Sequence, residues 1–124
     1  MAQEFSNDRP IYLQLIERLE REIASGTLAP GSWLPSVREL AGRLNISPNT
    51  VQRAMYEMER TGLLQARGTE GKTITEDGER IERMRRELAR QTLERFYGEM
   101  ARLGYSGEES ARLAQEYRQG REKE

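Results

Sequence analysis

Apolar positions recur at helical spacing in most of the chain and at strand-like spacing in one short interval. Tyr12, Leu15, Ile16, Leu19 and Ile23 fall on a single 3.6-residue stripe, which predicts a helix from Pro10 to about Ser25. Pro10 suits a first turn, where its missing N–H is not needed, and Gly26 is a natural stop. Val37, Leu40, Ala41 and Leu44 form a second stripe. Ser36 and Glu39 before it have the spacing of a capping box, serine capping the helix and glutamate reaching back. This second helix is expected to stop at Asn45, a residue that tolerates the left-handed conformation of a tight turn. Ile46 follows, then Ser47 as a new cap and Pro48 in the first turn of a third helix. That helix buries Val51, Ala54, Met55 and Met58 and reaches about Thr61, where Gly62 ends it. Leu63 to Arg67 and Lys72 to Thr75 are short strand-like runs around Gly68-Thr69-Glu70-Gly71, a β-hairpin with a glycine-bearing tip.

Two helices joined by a three-residue turn make a helix-turn-helix, and three helices followed by such a hairpin describe a winged helix. Glu76-Asp77-Gly78 breaks the pattern. A long helix is then expected from Glu79 to about Leu103, closed by Gly104. Ser106 caps a last helix, with Glu109 completing a second capping box and Ala111, Leu113, Ala114 and Tyr117 within it. The tail from Arg118 to Glu124 is expected to fray. The fold class is therefore mainly α with a small β-hairpin wing: an N-terminal winged helix-turn-helix over residues 1–78 and a C-terminal α-helical hairpin over 79–124. The hairpin's 46 residues are too few to enclose a core. A second copy of the same hairpin is the simplest cover, because two-fold dimers are the commonest assembly. Ile81, Met84, Leu88, Leu93, Phe96, Met100 and Leu103 are the expected dimerisation residues.

Composition narrows the chemistry. The 124 residues include no cysteine and no histidine. That removes disulfides, thiolate nucleophiles, the usual zinc sites and histidine acid–base catalysis. No metal and no cofactor are expected, and the carboxylates are scattered beside arginines rather than paired, so no enzyme is expected either. No apolar run approaches the roughly 20 residues of a membrane span. The first ten residues lack a basic segment followed by an apolar one, so no signal peptide is expected and the chain reads as cytoplasmic. Net charge is −1, which favours no particular partner, but Ser36 to Thr75 carries six basic and four acidic residues. The overall sign hides a mildly basic middle.

The residues up to Thr75 resemble the GntR family of bacterial transcription regulators. The likeness rests on Leu28-x-Pro30-Gly31-x-x-Leu34-Pro35-Ser36-x-Arg38-x-Leu40-Ala41, on Asn49-Thr50-Val51-x-x-Ala54 and on Gly62-Leu63 before the wing. Pro10-Ile11-Tyr12 and the run from Ser47 to Ala54 look like the YtrA-type subgroup, whose short two-helix C-terminal region replaces a ligand-binding domain. The resemblance covers nearly the whole chain and is more specific in its first half. It implies a DNA-binding regulator, with repression more common than activation. There are departures. Pro48 and Gln52 stand where many members carry arginine. The wing tip is one residue longer than the commoner Gly-x-Gly and carries Glu70, unfavourable near phosphate. Trp33 replaces a small or polar residue and is expected to cover the short strand before Leu34.

A winged helix lays its third helix in the major groove of double-stranded DNA. Ser47, Asn49, Thr50, Gln52, Arg53 and Tyr56 occupy the outward side of that helix. Amides suit adenine edges, arginine suits guanine, and hydroxyls suit base edges or phosphates. The resemblance adds Arg38, whose place in the second helix matches a family DNA contact; the competing reading is a surface salt bridge with Glu39 or Glu57. Ser36 and the helix N-terminus beside it can bind phosphate through backbone N–H groups. In the wing, Arg67, Lys72 and Thr73 are candidate backbone contacts, and Gly68 and Gly71 allow close approach. The expected partners are operator DNA of pseudo-palindromic form and a second copy of the chain as a homodimer. An unknown small-molecule effector could contact Tyr97, Tyr105 and Tyr117, although interface packing explains these tyrosines better. The rival reading is a winged-helix protein-interaction module without specific DNA binding.

Overall fold

Three short helices and a two-stranded hairpin precede two further helices, in the order α1 (Ile11–Ala24), α2 (Val37–Leu44), α3 (Pro48–Arg60), β1 (Leu64–Ala66), β2 (Lys72–Ile74), α4 (Gly78–Arg102) and α5 (Gly107–Glu122). The structure, a computed structural model, describes residues 5–122. The chain separates into two compact units, the first ending at Arg86 and the second beginning at Glu87, so the division falls inside α4.

The local signals act where they stand. Pro10 is the N-cap of α1 rather than its first helical residue, with ψ at 134°. Asn45 takes the left-handed conformation at φ 56° and ψ 50° and ends α2. Ser47 caps α3 by accepting from the Asn49 N–H, with Pro48 in the first turn. At the other end of α3, Gly62 has φ 89°. Its N–H donates to the Glu59 carbonyl at 3.1 Å, and the Leu63 N–H donates to the Met58 carbonyl at 2.9 Å. That pair of bonds is a Schellman motif, which satisfies carbonyls the helix leaves open and turns the chain toward β1.

The core of the first unit is drawn from every element in it. Leu15, Leu19 and Ile23 of α1 are buried, as are Leu40 and Ala41 of α2 and Val51, Ala54, Met55 and Met58 of α3. Leu34, Leu63, Leu64 and Ile74 close it from the hairpin side. Truncating a buried leucine of this kind to alanine costs about 2–5 kcal/mol. β1 and β2 are antiparallel, with Leu64 opposite Ile74 and Ala66 opposite Lys72. Trp33 adds a single bridge to Thr73, so the segment before α2 is a third, minimal strand of the wing. The Leu34 N–H donates to the Lys72 carbonyl and the Ile74 N–H to the Ser32 carbonyl, each at 2.9 Å. Trp33 thus belongs to that strand, with its side chain 55 % exposed.

The first turns of α4 also belong to this unit. Met84 is buried, and Arg80 Nε donates to the Thr61 carbonyl at 2.8 Å.

In the second unit, α4 continues to Arg102 and closes with a second Schellman pair, Gly104 to Ala101 at 2.9 Å and Tyr105 to Met100 at 3.1 Å. Ser106 and Glu109 form the expected capping box, with bonds of 3.1 and 2.8 Å. The expectation of a frayed tail is corrected for its described part: α5 runs on through Arg118 to Glu122. Gly120 is the one poor helix former in the stretch from Arg118 to Glu122, at a cost near 1 kcal/mol, and its neighbours there favour helix. Residues 123 and 124 lie outside the described residues. Leu93, Tyr97, Leu103, Tyr105, Leu113 and Tyr117 are exposed. Among the described residues no helix is long and apolar enough to cross a membrane.

Candidate nucleic-acid interface

Ser36 starts α2 with two reciprocal hydrogen bonds. Its Oγ accepts from the Glu39 N–H at 3.1 Å, and its own N–H donates to Glu39 Oε1 at 3.2 Å. A cap of this kind contributes about 1 kcal/mol. The bonds from Ser36 hold the Glu39 carboxyl below its usual range. Arg38, two residues into this start, is exposed and has no hydrogen-bond or ion-pair partner among the described residues. The carboxylates that could have claimed it are engaged elsewhere. Glu39 serves the cap and lies 3.6 Å from Arg43; Glu57 pairs with Arg60 at 2.7 Å and is held below its usual range by that hydrogen bond. The salt bridges that competed for Arg38 in the sequence do not form.

The outward side of α3 is the polar one. Ser47, Asn49, Gln52, Arg53 and Tyr56 are exposed and Thr50 is half-buried, while the opposite side carries the core residues. The Ser47 hydroxyl accepts from the Asn49 N–H at 3.2 Å and keeps its own proton to donate. Arg53 folds back over Tyr12 of α1. Tyr12 read in the sequence as part of the core stripe and of the subgroup motif Pro10-Ile11-Tyr12; its role as a partner of Arg53 had no local signal.

The wing is more internally bonded than its sequence implies. The Arg67 N–H donates to the Gly71 carbonyl at 2.8 Å, and the Glu70 N–H to the Arg67 carbonyl at 3.0 Å, closing the tip. Gly68 and Gly71 sit at φ 59° and 129°, which side-chain-bearing residues rarely adopt. Arg67 lies along the hairpin, donating from Nε to Thr73 Oγ1 at 3.0 Å and from Nη2 to Gln65 Oε1 at 2.9 Å. Lys72 Nζ is 2.9 Å from Glu59 Oε1 of α3. Thr73 corrects an expectation: it is only 4 % exposed, and its hydroxyl supports Arg67 instead of facing solvent. Alternation places Thr73 on the strand face opposite the buried Ile74, so its burial beside Arg67 and the bridged Trp33 segment was not readable.

Of the residues expected at a dimer contact, Leu93 and Leu103 are exposed, Ile81, Leu88, Phe96 and Met100 are half-buried, and Met84 is buried within its own chain. Among the described residues no cluster of carboxylates could hold a metal ion.

Comparison with known proteins follows the same lines. The model of the bacterial regulatory proteins of the gntR family matches residues 11–74. The HTH-type transcriptional regulator YhcF of Bacillus subtilis is 38 % identical over 109 residues, covering 88 % of this chain and 90 % of that protein. The HTH-type transcriptional repressor YtrA of the same organism is 41 % identical over 68 residues, 55 % of this chain and 52 % of that protein. Among solved structures, a GntR family transcriptional regulator from Listeria monocytogenes has a TM-score of 0.82 at 38 % identity, covering 90 % of this chain and 98 % of that one.

Proposed function

We propose, from the premise that the chain belongs to the GntR family of bacterial regulatory proteins and is a transcription regulator with a DNA-binding winged helix, that it acts as a repressor bound as a homodimer to a pseudo-palindromic operator. In this reading residues 1–78 read DNA and residues 79–124 join two copies, with the contact falling to Leu88 and beyond because Met84 is consumed by its own chain. Tyr97, Tyr105 and Tyr117 then serve the interface rather than an effector pocket.

The observation that carries the proposal is the unpaired guanidinium of Arg38 at the start of α2. An arginine side chain whose nearest acids are occupied keeps all five donors for a base edge or a phosphate. Beside it, Ser36 and the helix N-terminus favour an anion. Asn49, Thr50, Gln52 and Arg53 supply the groups that read bases. Arg67, kept extended by Thr73 and Gln65, supplies a positive charge in the wing.

Selection of bound duplexes from a random pool, followed by footprinting, tests this reading. The expected result is two symmetric half-sites with centres roughly 34–36 Å apart. Arg38→Ala should lose the footprint with an unchanged melting temperature. If that variant protects the same bases, Arg38 does not have the assigned role.

A further inference from the structure

The first unit contains a cleft whose lining shares no residue with the proposed DNA surface. It measures about 240 Å³ and is lined by α1, α2 and the segment joining them. Leu19, Leu28, Leu40 and Leu44 form apolar walls, and Arg18, Glu22 and Arg43 supply the charge.

The fold does not use up the Arg18 guanidinium. Its Nη1 is buried and has no hydrogen-bond partner among the described residues. Its contact with Glu22 runs through Nε at 3.6 Å, too long for a hydrogen bond. Nη1 is closed off from the cleft itself, so an acceptor in the cleft would meet the rest of the guanidinium, whose side chain is 28 % exposed. Among the described residues Arg43 is engaged only by the exposed Glu39, at 3.6 Å. Two cations against one carboxylate leave the lining with a single net positive charge. A monoanion balances it, whereas a dianion would meet repulsion from Glu22.

We propose that this cleft binds a small aliphatic monocarboxylate, its carboxylate on Arg18 and Arg43 and its hydrocarbon chain among the leucines. A dry cavity of about 150 Å³ accepts benzene, so the cleft suits an acid of roughly six to eight carbons. The helix that walls it also carries Arg38, which puts an occupant within one helix of the proposed DNA surface.

Octanoate titrated into the full chain, followed by amide NMR shifts, tests the site. Saturable shifts confined to α1, α2 and the segment between them are expected, with butanoate binding more weakly and octylamine at least about tenfold more weakly. Arg18→Met keeps the apolar stem and should weaken octanoate at least about tenfold. Arg43→Gln, an exposed change, should weaken it a few-fold, and Glu22→Gln should strengthen it. Opposite signs from neighbouring substitutions are not produced by a general loosening of the fold. Shifts centred in the second unit, an equal response to octylamine, or indifference to both Arg18→Met and Arg43→Gln overturn the proposal.

Discussion

The Arg53 guanidinium lies 3.8 Å from the centroid of the Tyr12 ring, and its Nη2 donates to the Tyr12 hydroxyl at 3.2 Å. The two residues stand 41 positions apart. A flexible arginine on the outward side of α3 is thereby restrained by a ring on α1. Restraint before binding reduces the ordering cost that a long side chain otherwise brings to an interface.

Tyr12 is therefore expected to act on DNA affinity through Arg53. Cation–π contacts at exposed sites contribute about 0.5–1 kcal/mol, so Tyr12→Leu should weaken operator binding by roughly two- to fivefold. Tyr12→Phe keeps the ring and should lose less. Fluorescence anisotropy on a selected operator measures both, and two variants that bind like the parent would show that the contact does not position Arg53.

Lys72 is neutralised by Glu59, so Glu59→Gln should release a cation beside the proposed DNA surface. The expected outcome is tighter binding at low salt and a steeper plot of log affinity against log salt, by up to about 0.9 if one phosphate contact is gained. A salt titration of the variant against the parent reads this directly. An unchanged slope would mean that Lys72 does not reach phosphate.

Leu103, 72 % exposed, and Leu93, 56 % exposed, present apolar surface on the second unit. Leu103→Glu should convert the proposed dimer to monomers in sedimentation equilibrium and weaken operator binding, because only one recognition helix per particle would remain. Its direct effect on the isolated chain should stay within about 0.5 kcal/mol, since the residue is mostly exposed there. A variant that remains dimeric would move the interface away from this turn.

Glu20 gives the pH dependence. Burial raises its pKa, with Arg80 opposing and Glu17 adding to the rise. A carboxyl with a raised folded pKa binds its proton more tightly when folded. Its effect on stability is then favourable below the ordinary glutamate range and is lost as pH rises through the raised value. Glu20→Gln should accordingly raise the melting temperature modestly at pH 7, by less than about 4 °C. The gain should vanish below the ordinary carboxylate range. Equal gains at both pH values would assign the effect to something other than titration.

Much of the fold was legible because its signals are local. Ser36 with Glu39, Asn45, Ser47 with Pro48, Gly62 and Ser106 with Glu109 each satisfy or end a helix through atoms a few residues away, and their effect depends little on what lies beyond. The 3.6-residue patterns likewise name the buried faces of α1, α2 and α3. The short strand before Leu34 was expected alongside the family resemblance; that Trp33 itself forms its bridge to Thr73 was not, since one bridge leaves no periodic pattern.

The candidate interface divides differently. By itself the sequence determined which residues stand outward on α3, that Arg38 begins α2 and that the wing has a glycine tip. Only the tertiary structure decided which of these charges remain unclaimed. Arg38 is left unpaired where two local pairings, Glu39 with its cap and Glu57 with Arg60, take the nearby acids and no other segment among the described residues brings one, whereas contacts between elements hold Lys72 to Glu59 and Arg53 to Tyr12. The physical reason is that secondary structure is set by hydrogen bonds and apolar spacing along one segment. The availability of a charge depends on which side chains other segments bring within about 4 Å of it.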